Sequence, residues 1–304
     1  MVNMEEHIKQ LILIPDVHGR TFWKDAMEYI FNGTDVVFIG DYLDSYPHEG
    51  HQDEDVFANF EDIVSLAQGH QNVHLLIGNH DCGYFFTRQI NDCRTMDWCF
   101  HDLRGIFRDN ERLFNFAYHT NIGGRNIMVT HAGVDKRWWL SVEAQHAFCG
   151  LKLDKTYDPA NVKMPSGSEI ANLLNNVPKV GNKALYSALE IYSRTRGWGG
   201  REFGSCIWQD IHDWGAVHFE GQGEDRKPIY TPTGLDDTFQ IVGHTMQLDE
   251  HIERTEKSWK YTYTPGKPVY NVHGNVLCID CQECFYVDDE GTIRYLKTDI
   301  PAVE

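Results

Sequence analysis

Two runs near the start of the chain, Leu11-Ile12-Leu13-Ile14 and Val36-Val37-Phe38-Ile39, are apolar at every position, and Val73 to Ile77 is apolar but for His74. Runs this short and this continuous predict strands buried on both faces. The stretches between them, Thr21 to Phe31 and Asp53 to Gln68, carry helical patterns. Strands alternating with helices predict βαβ units and a mostly parallel, covered sheet. Beyond these the pattern predicts a helix from Asn91 to Asp109 and strands at Phe114–Thr120 and Asn126–Val129. Late strands are expected at Thr238–Val242, Pro268–Val272, Asn275–Ile279 and Phe285–Val287.

Residues 150–200 read differently. Asp158-Pro159 and Pro165-Ser166-Gly167 break the pattern around helices expected at Glu169–Leu174 and Lys183–Arg194, and Arg194 to Phe203 reads as a long loop. The expectation is a single domain over residues 1–304 with a cap-like helical insertion at about 150–200.

Each early strand ends in a cluster of polar residues able to bind metal. Pro15-Asp16-Val17-His18-Gly19 follows the first, Gly40-Asp41-Tyr42-Leu43-Asp44 the second and Gly78-Asn79-His80-Asp81 the third. Later strands run into Thr130-His131-Ala132-Gly133 and Gly243-His244-Thr245. In open α/β sheets ligands sit beyond the carboxyl ends of the strands, so five strands can deliver these residues to one place. The set is Asp, Asn and His without Cys, which suits Mn, Fe, Zn or Mg better than a thiolate zinc site. Asp16 and His18, two apart on an extended turn, can face one ion. Asp41 at its strand end can bridge to a second, completed by Asn79, His131 and His244. Two ions about 4 Å apart clamp the oxygens of an in-line phosphoryl displacement and acidify a bridging water.

In this order the motifs D-x-H-G, G-D-x-x-D, G-N-H-D, T-H-A-G and G-H-T resemble those of the calcineurin-like metallophosphatases, and within them the phosphoprotein (serine/threonine) phosphatases and the bacterial diadenosine-tetraphosphatase-like enzymes. The resemblance runs from about residue 11 to 287, anchored in short motifs. It implies an α/β sandwich of two mixed sheets flanked by helices, with a di-metal site at the strand ends. It implies that Asp16, His18 and Asp41 hold one ion and that Asp41, Asn79, His131 and His244 hold the other. A metal-bridging hydroxide would attack phosphorus. His80 would be the general acid, and Asp44 would orient it and keep it protonated. Cys206 to Asp210 is similar to the family's L-W-x-D stretch, and Asn275 to Asp280 to its closing strand.

The sequence departs from the protein phosphatases at two places. Ser45 and Ile77 stand where that family has arginines that grip the substrate phosphate. Arg20 and Arg226 rank first as substitutes, with Arg194, Arg196 and Arg201 behind them. The expected activity is a serine/threonine-phosphatase-like phosphomonoesterase. The alternatives are a hydrolase of dinucleoside polyphosphates or other small phosphoanhydrides and diesters, and a non-catalytic scaffold.

Charge and cysteines sharpen this reading. A net charge of −18 argues against nucleic-acid and anionic-membrane partners and leaves a phosphorylated substrate in need of local cations. No apolar run approaches the length of a membrane span and no signal peptide is expected. Eight cysteines scattered through a chain of 304 residues do not read as a disulfide scaffold, which points to the cytoplasm. Cys278, Cys281 and Cys284, three apart, lack an evident fourth ligand and read as strand and turn residues.

Overall fold

The computed structural model describes residues 8–86, 93–152, 157–193, 201–220, 226–254 and 259–303. In chain order its elements are β1 (Lys9–Ile14), α1 (Met27–Asn32), β2 (Asp35–Phe38), α2 (Asp53–Gly69), β3 (Val73–Leu76), α3 (Asn79–Phe85), α4 (Phe100–Asp109), β4 (Phe114–Asn115), β5 (Ala117–Ile122) and β6 (Arg125–Thr130). They continue with α5 (Lys136–Trp139), α6 (Val142–Cys149), α7 (Gly167–Asn175), α8 (Lys183–Leu189), β7 (Ala216–Glu220), β8 (Lys227–Thr231) and β9 (Phe239–Val242). Last come β10 (Leu248–Arg254), β11 (Trp259–Pro265), β12 (Val269–Asn271), β13 (Val276–Cys278), β14 (Phe285–Asp288) and β15 (Ile293–Tyr295). Two mixed sheets result, in the orders β15-β14-β1-β2-β3-β4 and β12-β13-β9-β6-β5, with separate hairpins β7-β8 and β10-β11.

The continuous apolar runs are explained by their two faces. Leu11, Leu13, Val37, Ile39 and Leu76 point into a core shared with Ile127, Val129, Phe239, Ile241, Leu277, Phe285 and Val287, between the sheets. Their neighbours Ile12, Ile14, Val36, Phe38, Leu75 and Ile77 point into a second core with helix residues such as Phe60, Ile63, Leu103 and Phe107. Each such side chain contributes roughly 1.5–3 kcal/mol through burial. A single truncation between the sheets, Leu13→Ala, removes about 2–5 kcal/mol. The strands β1, β2 and β3 pair in parallel, as do β6 and β9. Parallel pairing brings their carboxyl ends to one edge, which positions the site.

Three expectations need correction. The strand foreseen over Phe114–Thr120 is broken: β4 pairs with β3 in the first sheet, β5 with β6 in the second. The chain crosses between sheets at Phe116, whose N–H donates at 2.9 Å to the side-chain carbonyl of Asn175. The N–H of Ala117 donates to the same oxygen at 3.1 Å, and Asn175 Nδ2 donates to the Ala117 carbonyl at 2.8 Å. A side chain from α7 thus replaces the ladder that propensity alone would continue. The helix foreseen from Asn91 begins, among the described residues, only at Phe100 after a short 3-10 turn, because Met96 N–H is taken by the Tyr84 hydroxyl and Cys93 by Asn79. The helix foreseen to Arg194 ends at Leu189, and Arg194 lies outside the described residues.

Within the expected insertion, α7 carries a capping box in which Ser166 and Glu169 satisfy each other's backbone N–H groups, and it packs on β5 and β6. The helix α8 packs on α6. Carboxylates of Asp53, Glu54 and Asp55 occupy the first turn of α2, where the helix dipole favours them. No helix among the described residues is long and apolar enough to cross a membrane.

Candidate metal centre

The tight turns after the parallel strands carry the polar residues. The segment after β1 delivers Asp16 and His18, that after β2 Asp41 and Asp44, and α3 starts directly on Asn79 and His80. His131 follows β6 and His244 follows β9, from the second sheet. His18, Asp41, Asp44 and His244 all have left-handed backbones, with φ of 44°, 49°, 59° and 66°. Such conformations cost roughly 1–3 kcal/mol each for non-glycine residues and persist only where surrounding bonds impose them.

Several of those bonds are plain. The carboxylate of Asp81, fully buried, accepts the backbone N–H of Asp41 at 2.7 Å, Gly78 at 2.8 Å and Tyr42 at 3.1 Å, locking the second motif to the third. Two glycines are there for closeness alone. A Cβ on Gly78 would lie 2.1 Å from Asp41 Oδ1, and one on Gly243 would lie 2.0 Å from Asp16 Oδ1.

The hydrogen bonds also fix the tautomers. His18 Nδ1 stands 2.8 Å from the Leu43 carbonyl and His131 Nδ1 3.0 Å from the Ile39 carbonyl. A carbonyl only accepts, so both rings carry their proton on Nδ1 and turn a bare Nε2 inward. That of His18 lies 3.6 Å from Asp41 Oδ2 and that of His131 3.5 Å from the same oxygen. Asn79 Oδ1 lies 2.9 Å from His131 Nε2 and 2.9 Å from His244 Nδ1. The Asn79 amide is turned this way because its Nδ2 donates to Cys93 Sγ at 3.4 Å. Asp16 receives the His244 N–H at 3.0 Å on both oxygens.

Lone pairs of imidazole nitrogen, carboxylate and amide oxygen therefore face one another around Asp41. Such an array repels itself unless cations sit within it, so the residues present fit bound metal. Two groups, His18 with Asp41 and His80, and Asp41 with His131 and His244, each bring ligand atoms within 4.8 Å of one another. Asp41 belongs to both, as a bridge between two ions requires. Among the described residues no such group contains a cysteine. Cys278 instead donates to the carbonyls of Gly243 and Thr245, both at 3.2 Å.

The electrostatics agree. Burial, then the carboxylates of Asp280 and Asp41, push Asp16 well above the usual carboxylate range. Burial would also raise Asp41, but His131, His80 and His18 around it bring it below its ordinary value. Burial holds His18 well below the usual imidazole value. His80 is the opposite case: burial disfavours its charge, yet Asp41 and Asp44 outweigh it and raise its proton affinity. Its Nδ1 lies 2.9 Å from Asp44 Oδ2 and its ring packs edge-on to His18 at 5.1 Å.

The structure thus brings Asp16, His18, Asp41, Asp44, Asn79, His80, His131 and His244 together, all buried. Arg20 lies beside them, but its guanidinium is held by Glu49 Oε1 at 2.9 and 2.7 Å and by the Asp16 carbonyl at 3.2 Å. Arg226 is exposed, just before β8. Arg201 donates to Glu143 at 2.7 Å, and Arg196, like Arg194, lies outside the described residues.

The profile of the family described as calcineurin-like phosphoesterase matches residues 10–182, a span that carries four of the five motifs. The chain belongs to that family. This calcineurin-like phosphoesterase is a metal-dependent enzyme that hydrolyses phosphate esters. A solved structure of a protein serine/threonine phosphatase from Saccharomyces cerevisiae, with similarity to human phosphatase PP5, is similar over 94% of this chain and 74% of that chain, at 14% identity and a TM-score of 0.43. The comparison with curated proteins returns no match.

Sequence reasoning missed several residues of this calcineurin-like centre. Asp81 sits inside a quoted motif, and its part as a backbone clamp shows only once two loops meet. Tyr84, whose hydroxyl donates to Asp44 Oδ1 at 2.8 Å, and Cys93 sit beyond the motifs at no fixed spacing. Arg94, whose Nε and Nη2 donate to the Asp44 carbonyl at 3.2 and 2.8 Å, had no sequence signal at all.

Proposed function

We propose that this phosphoesterase hydrolyses phosphomonoesters in the manner of a serine/threonine phosphatase, with manganese as its preferred ion, as one domain in the cytoplasm. The observation that carries the reading is the His80–Asp44 pair standing beside the inward lone pairs around Asp41. The oxygen and imidazole donors suit manganese, and free, mostly buried thiols suit a reducing compartment.

Asp16, His18 and Asp41 would hold one cation, and Asp41, Asn79, His131 and His244 the other. Two bound cations would supply Lewis-acid charge to the phosphoryl oxygens and acidify a water. The rest belongs to the protein. Asp44 accepts from His80 Nδ1, which leaves the Nε2 proton of His80 for the leaving oxygen. Tyr84 fixes the other oxygen of Asp44, so the ring cannot swing away. The buried surroundings keep bulk water from competing for that proton.

The second reading is hydrolysis of dinucleoside polyphosphates. One panel separates the two: p-nitrophenyl phosphate, its bis-ester, a phosphoserine peptide and diadenosine tetraphosphate with Mn²⁺ present, run with the wild type, His80→Asn and Asp41→Asn. Loss of cleavage in both variants is expected, and the preferred substrate chooses between the readings. Variants as active as the wild type would sink the mechanism.

A further inference from the structure

A phosphate monoester arriving at this centre brings two negative charges to a place where Asp16, Asp41, Asp44 and Asp280 already lie close together. A cation of the protein not already neutralised is worth most there. Arg20 is neutralised by Glu49, with Nη2 2.7 Å from Oε1. Arg94 is arranged differently. Its guanidinium stacks on the Tyr46 ring, 4.0 Å from the centroid, and gives Nε and Nη2 to a single acceptor, the Asp44 carbonyl. Among the described residues no carboxylate pairs with it, and it is half-buried rather than spread into solvent. The Nη1 group keeps both its N–H bonds for another acceptor.

Its position is set by the centre itself. The Tyr46 ring that carries Arg94 is 5.0 Å from the His18 ring, and the residue whose carbonyl Arg94 holds is the one whose carboxylate holds His80. A planar guanidinium fixed on two sides and open on the third is pre-organised for an oxyanion.

We propose that Arg94 binds the non-bridging oxygens of the substrate phosphoryl group and thereby favours monoester dianions over diesters. The inference rests on the phosphomonoesterase reading above. It gives the chain a phosphate grip independent of Ser45 and Ile77.

The test is calorimetric binding of inorganic phosphate to the manganese-loaded full chain, wild type beside Arg94→Ala and Arg94→Lys, with KM and kcat for p-nitrophenyl phosphate and its bis-ester. Phosphate binding and the monoester KM should worsen roughly ten-fold or more in Arg94→Ala, the size of one charge-assisted contact. Lysine should restore part of the loss, and the diester KM should move less. If Arg94→Ala fails to fold, Arg94→Gln keeps a donor for the Asp44 carbonyl and carries the same test. Phosphate binding and KM unchanged while kcat falls would mean that Arg94 only braces Asp44, and would overturn the inference. Phosphate binding undetectable in the wild type would overturn it too. A wild type that binds phosphate but cleaves no monoester would instead count against the reading on which the inference rests.

Discussion

His80 Nδ1 lies 2.9 Å from one oxygen of Asp44, and the hydroxyl of Tyr84 donates to the other at 2.8 Å. The carboxylate is therefore fixed at both ends and cannot rotate away from the imidazole. Asp41 and Asp44 raise the proton affinity of His80 against the effect of burial. Replacing Asp44 by Asn removes one of those charges, so the His80 pKa should fall. The alkaline limb of the kcat profile should move to lower pH, and kcat should drop by about a hundred-fold. Tyr84→Phe should cost less, about ten-fold or under, because the charge remains. Steady-state rates across pH check this, and an unmoved limb in Asp44→Asn would remove His80 from the role of acid.

Asp81 does no chemistry in this account, yet its loss should be costly. Its buried carboxylate satisfies three backbone N–H groups of two different loops. An amide in its place accepts on one atom only and aims N–H bonds at donors. Asp81→Asn should lose about 2–4 kcal/mol of stability, read from denaturant midpoints at unchanged slope. A midpoint within error of the wild type would refute the clamp.

Removing metal should destabilise the fold as well as stop turnover. A ligand at a hundred times its Kd adds about 2.7 kcal/mol, which a chelator takes away. The loss should depend on pH. A carboxyl raised in the folded state, as Asp16 is by burial, Asp280 and Asp41, adds stability below its ordinary value and loses it as pH climbs through the folded value. Metal-free protein should accordingly melt higher at about pH 5 than at about pH 8. Thermal scans with and without chelator at both values decide it, and a melting temperature indifferent to chelator would argue against the metal centre.

Two glycines should behave in opposite ways. Gly78→Ala drives a methyl to 2.1 Å of Asp41 Oδ1 and should abolish both metal binding and activity. Gly105, inside α4, has nothing within 4 Å of an added Cβ. Gly105→Ala should stabilise the protein by about 0.5–1 kcal/mol with activity intact. Metal titration and melting of the two variants side by side provide the comparison.

The legible parts of this molecule were those where local pattern and tertiary role coincide. Val36 to Ile39 announces a doubly buried strand, and Gly40-Asp41 announces the turn that follows, because both signals lie in adjacent residues. The helix α3 hid inside the third motif, since its seven residues are all buried and show no polar face. The hairpins β7-β8 and β10-β11 were passed over: β8 and β10 alternate poorly, and the aromatic-polar alternation of Trp259 to Thr264 in β11 is a strand signal that went unused. Arg94 was invisible for a different reason: its ring partner is Tyr46 and its acceptor is Asp44, and neither pairing leaves a trace along the chain.

The crossing at Phe116 has a bearing on how the protein is made. Its two N–H groups and the Ala117 carbonyl are completed by Asn175, about sixty residues further on. On a ribosome these three bonds therefore form only once α7 has emerged. The nascent chain carries an open seam through the synthesis of everything between. Shortening the segment at 150–200 past Asn175 would leave that seam open, so this stretch is tied to the framework by Asn175 and is not free to be lost or exchanged as a surface appendage.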